Sequence, residues 1–495
     1  MKKYKLNFVF DYFFPNFILP NATMPEIGVV NYLASMHTNK AQNATVFEQQ
    51  IPIHDLFGNR LGGMPNSGTG YFYQAAVYKS LIDFEQKPLY NNNNGYQKFI
   101  YPIKPNPVLS DFMGMAQGIG SRMDGEFFWK YISAQATEHI LKGEGIIFID
   151  YSMEPFIDKY LHDAFHESLK NSGIPKENII ICVNSFNART CYENYYPENE
   201  RRYSVRNLPF CLDHSSWYYN DEIEKNSGVC MIESDFLKTK NTIRKNHFLM
   251  KIRNGREHRI AFLYKMASAN LLHKGDFSFL APNGTQYSQD TVEFVIERYG
   301  LKNANLKNIK KLHESSPHIL QSEQGITYGQ INAWTDSHYQ PHIDSYFEIC
   351  FETFVHGDHK SLTEKIFKPI VNFQPFFFVA YPGALQLLKN LGFKTFEGFI
   401  DESYDKIDNV NNRLEAIFIE VNRLCQMSEE EIHNWYWGME EILIHNHRTL
   451  INYHKNRLFA EDLVEEFYNI LNGIQTKPIN IPIVNIESNS AKKLI

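Results

Sequence analysis

Residues 361–393, SLTEKIFKPIVNFQPFFFVAYPGALQLLKNLGF, carry the sharpest chemical signal in the chain. Thr363, Glu364, Lys365 and Lys368 stand at the head of an expected helix. One carboxylate beside two ammonium groups suits a nucleotide. The acid can accept from both ribose hydroxyls, and the cations can hold a diphosphate. A helix start that follows a parallel strand favours an anion, because free amides and the helix dipole point at it. The same residues also have a plain structural reading. Ser361-x-x-Glu364 has the spacing of a capping box, and Glu364 with Lys368 is an i,i+4 ion pair. Pro369 falls where the helix must tolerate it or kink.

A second cluster lies in KIRNGREHR, residues 251–259. Lys251, Arg253, Arg256, His258 and Arg259 occupy an expected strand-to-helix turn. Arg253 or Arg256 can bind two phosphate oxygens at once. Such a cation lowers the barrier as charge grows on a departing diphosphate. Arg259 falls inside the following helix and ranks below them. The bland reading is a solvated basic loop.

A transfer to a hydroxyl also needs a base. Asp150 ends an apolar run and Glu154 lies just beyond it, which makes them the favoured pair. Asp213 and His214 in CLDHSSW are rivals. Trp217, Tyr218 and Tyr219 could stack on a sugar, although clustered aromatics more often pack. His445-Asn446-His447 imitates a metal or nuclease motif. In a helix, however, residues two apart point in different directions. The chain has no Asp-x-Asp, and Asp405-x-x-Asp408 reads as a surface loop.

The elements that must position these groups alternate strand and helix. WKYISAQATEHILKG has helical spacing closed by Gly143, and GIIFIDY (145–151) is short and apolar, as a strand buried on both faces would be. FIDKYLHDAFHESLKNSGI is an amphipathic helix ended by Gly173, and NIIICVNS (178–185) is a second buried strand. That order implies a parallel pair with a right-handed crossover. Residues 188–240 lose periodicity and read as a loop-rich binding surface. The pattern resumes over 247–272 as strand, turn at Gly255 and helix.

Further on, Tyr346–Phe351 and QPFFFVAY are apolar runs. Pro382-Gly383 is a turn, ALQLLKNLGF a helix closed by Gly392, and TFEGFIDESYD a further strand and loop. Residues 429–472 are helical, with Ile432, Trp435, Met439 and Leu443 on one stripe. Residues 1–130 give no topology beyond a first strand at Leu6–Phe10 and a loop at Asn91–Asn94. The residues from Thr476 read as a loose tail.

A chain of 495 residues exceeds one core. The expected divisions are 1–240 as an acceptor-side Rossmann-like domain and 241–425 as a nucleotide-sugar-binding one. Residues 426–475 are expected to be helices packing across both, followed by the tail 476–495. A net charge of −7 gives no global reason to expect nucleic-acid binding. Six cysteines without CxxC spacing argue against a zinc site or disulfide framework and fit a reducing, cytoplasmic compartment. The basic, apolar start imitates a signal peptide, but Asp11 and Pro15 interrupt it. No run reaches the roughly 18 apolar residues of a membrane span. High Asn, Lys, Ile, Tyr and Phe usage suits an AT-rich genome, viral or bacterial.

Glu352, ten further residues and then Thr363-Glu364-Lys365 resemble the donor-site motif of α1,3-fucosyltransferases. The wider run resembles phage and giant-virus glycosyltransferases. In those an F-x-x-x-x-R-x-x-R-x-x-R strand and turn precede the helix, and a Q-P-F strand and P-G turn follow it. The counterparts here are Phe248 to Arg259, Gln374 to Phe376 and Pro382-Gly383. The likeness covers 247–425 and departs in the acceptor half. It implies an α/β GT-B fold, with two Rossmann-like domains facing a cleft and C-terminal helices. It also implies an inverting hexosyl- or fucosyltransferase that uses a nucleotide-sugar donor, GDP-fucose foremost, and a glycan acceptor. Cations would replace a metal, and no cofactor is expected. Carried over, Glu364 would hold the ribose and Lys365 the diphosphate or sugar. Two other readings stand beside it. One is a non-catalytic carbohydrate-binding or structural protein. The other is a transferase acting on a modified DNA base, for which Arg201, Arg202 and Arg206 would line the groove.

Overall fold

The computed structural model describes residues 4–10, 82–88, 98–103, 134–151, 159–170, 173–252, 255–279, 289–301, 304–315, 318–320, 339–455 and 459–474. Among these residues the chain forms two parallel α/β units. Unit 1 holds the chain up to His214, the short piece His359–Ser361, and the stretch Arg457–Ile483. Unit 2 holds Ser215–Asp358 and Leu362–Asn456. The expected loop at Asn91–Asn94 and the tail from Thr476 lie outside the described residues.

In unit 1, β1 (Tyr4–Phe10), β2 (Ile82–Pro88), β3 (Phe99–Ile103), β4 (Gly145–Tyr151), β5 (Ile179–Val183) and β6 (Ser204–Asn207) form one sheet. Its order is β2-β1-β3-β4-β5-β6, parallel throughout. The apolar runs explain the centre of the sheet. Ile146–Ile149 and Ile179–Val183 are buried on both faces, as helix-covered parallel strands must be. Helices α1 (Ala134–Leu141), α2 (Lys159–Leu169) and α3 (Ala188–Tyr195) follow in order. Gly143 and Gly173, at φ 76° and 69°, stand just past α1 and α2. Lys360 is seated beyond β5. Its carbonyl accepts from the Phe186 amide (2.7 Å) and its amide donates to Asn187 Oδ1 (2.7 Å).

Residues 188–240 are ordered as α3, β6, α4 (Phe210–Glu224) and α5 (Glu233–Lys238), which corrects the loop-rich expectation. The missing periodicity has a physical cause. From Phe210 to Ser216 every residue of α4 is buried, the polar Asp213, His214, Ser215 and Ser216 included. A helix buried all round carries no amphipathic stripe.

In unit 2, β7 (Asn246–Ile252), β8 (Gly275–Phe279), β9 (Ser345–Phe351) and β10 (Phe376–Val379) form a sheet in the order β10-β9-β7-β8, again parallel. Between and after them come α6 (Glu257–Ser268), α7 (Gln289–Arg298), α8 (Leu306–Glu314), α9 (Gln340–Asp344), α10 (Glu364–Val371), α11 (Ala384–Asn390) and α12 (Val410–Cys425). Then α13 (Glu429–Trp437) and α14 (Glu440–Asn452) close unit 2, and α15 (Phe459–Leu471) belongs to unit 1. There Phe467 meets Phe148 edge-on at 4.9 Å. The Pro382-Gly383 turn places Gly383 at φ 82° as the N-cap of α11, and Gly392 at φ 92° follows that helix.

TFEGFIDESYD forms no strand. Glu402 takes the Thr395 hydroxyl (2.7 Å) and the Phe396 amide (2.6 Å), which curls the segment into a turn with a single Glu397–Ile400 bridge. Ile432, Met439 and Leu443 are buried as the stripe requires. Trp435 is only half-buried, and Tyr436 takes the inner position. The histidine–asparagine–histidine run pins neighbouring backbone. His447 Nδ1 donates to Val371 O (2.8 Å), Asn446 bonds both N and O of Lys394, and His445 Nε2 donates to Gly392 O (2.8 Å). All six cysteines are buried free thiols. No described helix is long and apolar enough to cross a membrane.

Candidate functional site

The unit 2 sheet reverses its direction of winding between β7 and β9, since β8 lies on one side and β10 on the other. In open parallel sheets this switch point leaves a crevice at the carboxyl ends of the strands, where ligands bind. The chain leaving β7 enters α6 through Arg256, and the chain leaving β9 enters α10 through Thr363. The two clusters singled out in the sequence therefore belong to adjacent strands.

Glu352, the residue after β9, organises this edge. It is 2% exposed, and its Oε1 accepts from both the amide and the hydroxyl of Thr363 (2.8 Å each). Its Oε2 accepts from the Thr353 amide (2.9 Å). Its backbone carbonyl takes His258 Nε2 (3.1 Å) and Arg259 Nη2 (3.0 Å) from α6. One residue thus ties the β9 end, the start of α6 and the start of α10 together. Burial pushes the Glu352 carboxyl up, and Lys365 and the Thr353 and Thr363 amides only partly offset it. Burial holds His258 down at about 3, so its imidazole is neutral and its Nε2–H can serve the carbonyl. Burial also lowers Arg259, to about 10, assisted by Arg256.

Thr363 is the N-cap of α10, and the expected capping box from Ser361 does not form. The helix starts two residues later than that box requires, because Glu352 claims the Thr363 amide and hydroxyl. Glu364 opens the helix and pairs with its neighbour Lys365, whose Nζ lies 2.7 Å from Oε1 and 3.2 Å from Thr363 Oγ1. Burial would raise the Glu364 carboxyl, but Lys365 and then Lys368 outweigh it, so the net direction is down. Burial would lower the Lys365 ammonium, but Glu364 and Glu352 outweigh it, and the net direction is up. Both groups are held ionised at neutral pH. Lys365 keeps 30% of its side chain exposed and Glu364 13%. Lys368 is buried one turn on. Pro369 sits within α10, and its carbonyl accepts from the Gln374 amide (2.9 Å).

The basic turn divides. Arg256 is exposed at the N-cap of α6, with its guanidinium 5.0 Å from the Phe354 ring. Lys251 turns back along the sheet, 3.2 Å from His342 Nε2 and 3.7 Å from Glu348 Oε1. His342 Nδ1 meets Gln374 Oε1 (2.5 Å), and Gln374 Nε2 donates to Ser345 O (3.1 Å). The Gln of the Q-P-F run is therefore a bracket for the start of β9. Arg253 lies outside the described residues.

The third helix start of this edge, α11, is filled by the chain itself. Asp405 Oδ1 accepts from Leu385 N (3.0 Å) and Oδ2 from Gln386 N (3.2 Å). Asp405 is a cap here and no loose surface group. Arg413, 1% exposed, donates to the carbonyls of Val355, Ile407 and Asp408 and so joins the segments that follow β9 and β10.

Asp150 is placed in unit 1 with its Cα opposite that of Cys182, one residue before β4 ends. Glu154 lies outside the described residues. The rivals Asp213 and His214 are buried inside α4, and burial takes His214 down to about 3. His214 stacks on Phe210 at 5.6 Å. Tyr218 and Tyr219 are buried packing residues. Sequence reasoning quoted Glu352 in a motif without giving it a task. The available signal was an acid four residues after Glu348 in an otherwise apolar run, since i and i+4 share one face of a strand. Phe354 and the cap at Asp405 left no signal in spacing.

No family model matches the chain, and no curated protein matches it. Solved structures similar to it include OtsA in its apo form, 13% identical over 96% of this chain and 100% of that chain, with a TM-score of 0.36. An α,α-trehalose-phosphate synthase (UDP-forming) from Burkholderia vietnamiensis is 11% identical over 77% of this chain and 75% of that chain, with a TM-score of 0.37. An α,α-trehalose 6-phosphate synthase from Burkholderia multivorans is 11% identical over 96% and 99%, with a TM-score of 0.34.

Proposed function

We propose that this chain is a glycosyltransferase of GT-B type that moves a sugar from a nucleotide-sugar donor to a hydroxyl of a glycan acceptor, with inversion and without a metal. The observation that carries the reading is the α10 start at the switch point. An ionised Glu364–Lys365 pair stands there on a Thr363 cap locked by Glu352. Glu364 can accept from the ribose diol, while Lys365 and Arg256 take the diphosphate. As the sugar–phosphate bond breaks, these cations stabilise the charge gathering on the leaving group. The absence of Asp-x-Asp from the sequence agrees with cations doing that work. GDP-fucose is the donor the motif resemblance points to, and Glu154 or Asp150 is the proposed base.

Of the three arginines named for the DNA-base reading, Arg202 is exposed and the other two hold protein groups. Arg206 is turned into a two-oxygen pair with Glu466 (Nε to each oxygen 2.8 Å), and Arg201 donates to the carbonyls of Tyr196 and Glu193.

A thermal-shift panel of GDP, UDP, ADP and CMP tests the reading. A ligand that binds only the folded state raises the melting temperature. One nucleotide is expected to stabilise the wild type and much less so Glu364→Ala. Equal shifts in both proteins would remove Glu364 from the site. For the base, Glu154→Gln is expected to keep nucleotide binding and lose transfer, and unchanged turnover would reject that assignment.

A further inference from the structure

Thr363 stands at the N-cap of α10 with extended backbone, yet its hydroxyl takes no amide of the first turn. It is turned to Glu352 instead, 2.8 Å from Oε1 and 3.0 Å from Oε2. Each of those oxygens also accepts a backbone N–H, from Thr363 and Thr353 respectively. The acid is therefore the acceptor, and the single proton of the hydroxyl lies toward it. A hydroxyl that donates this way keeps its lone pairs for a donor. The Lys365 ammonium, which can only donate, supplies one at 3.2 Å. A second ammonium N–H goes to Glu364 Oε1 at 2.7 Å. Among the described residues these two oxygens are the hydrogen-bond acceptors of Lys365, whose side chain stays 30% exposed.

We propose that Thr363 is a positioning residue of the nucleotide site: its hydroxyl, oriented by Glu352, anchors the Lys365 ammonium so that the third N–H meets a phosphate. The inference rests on the nucleotide-binding reading above. With its hydroxyl committed on both sides, Thr363 acts through Lys365 and does not touch the ligand. A lysine held by Glu364 alone could swing about that one bond. Held at two points, it has lost that freedom before the ligand arrives, and less ordering entropy opposes binding.

A packing role predicts something different. Valine copies the shape of Thr363 and keeps the amide that meets Glu352, but it has no hydroxyl. Serine keeps the hydroxyl and loses the methyl. Titrations to millimolar GDP, UDP and ADP against wild type, Thr363→Val, Thr363→Ser, Lys365→Met and the Thr363→Val/Lys365→Met double variant separate the two. Thr363→Val is expected to weaken the best nucleoside diphosphate about fivefold, and serine should recover the loss. In the Lys365→Met background the valine should cost nothing more. If valine binds like wild type, if serine is as weak as valine, or if valine still weakens binding with Lys365 absent, the hydroxyl does not act through Lys365 and this inference falls alone. Should the valine variant fail to fold, Thr363→Ala against Thr363→Ser gives the same contrast. If wild type binds none of the three nucleotides, the glycosyltransferase reading falls and takes this one with it.

Discussion

Glu352 Oε1 lies 2.8 Å from both the amide nitrogen and the hydroxyl oxygen of Thr363, eleven residues ahead of it in the chain. The first turn of α10 is therefore set by a carboxylate on the neighbouring strand end and not by its own helix. With the Thr353 amide on the other oxygen, both oxygens are needed. Glu352→Gln presents an amide N–H₂ to one of those donors. A buried donor left without an acceptor costs about 1–3 kcal/mol. Urea unfolding should show a loss in that range, together with weaker nucleotide binding. A variant as stable as wild type would show that the lock contributes nothing.

Acid should weaken the protein through its buried imidazoles. His162, His214 and His258 are each held near 3 by burial, against an ordinary value of 6.5. The unfolded chain binds protons that the folded chain refuses, so stability is complete above pH 6.5 and drains away as the pH falls toward 3. His162 is the best probe, because its Nδ1 meets Tyr203 OH at 2.6 Å in a cluster with Tyr192, Tyr196 and His166. Chemical denaturation at pH 7.5 and 5 should give a smaller pH dependence for His162→Gln than for wild type. Identical slopes would mean that His162 is not buried neutral.

Phe373 is left-handed at φ 53° just past α10, and its ring is stacked between Phe236 (4.4 Å) and His447 (4.1 Å). A side chain at that φ is strained, and glycine is not. Both Phe373→Gly and Phe373→Ala lose the stack, but only the alanine keeps the strain. The glycine variant should therefore be the more stable of the two by about 1 kcal/mol, the reverse of the usual order. Melting curves that rank alanine above glycine would contradict the left-handed assignment.

The Arg206–Glu466 pair fastens α15 to the edge strand of unit 1, and Glu466 is 7% exposed. Breaking a buried pair by removing one partner costs about 3–5 kcal/mol, while replacing both with apolar groups costs far less. Glu466→Leu should destabilise the protein strongly, and adding Arg206→Leu should recover most of the loss. If the double variant is no better than the single one, the pair has no net coupling.

The sequence showed most of the strands and little of the site's wiring, for one reason. β5 and β10 are apolar throughout, and β4, β7 and β9 are built round apolar stretches, so composition reveals them. The turns at Gly143, Gly173, Gly383 and Gly392 were legible because each needs positive φ. Helix α4 was missed because burial on every side erases periodicity. Site contacts such as Glu352–Thr363, Arg256–Phe354 and Asp405–Leu385 join residues whose adjacency exists only after the strands have ordered. Arg253 and Glu154 were named from the sequence and lie outside the described residues.

Both sheets carry the same opening order, with the second strand outside the first and the third and fourth running away on the other side. Unit 1 therefore has a winding switch point of its own, between β1 and β3. Asp150 stands on β4, one strand to the flank. A base on β4 would thus serve from beside that point, with β3 between.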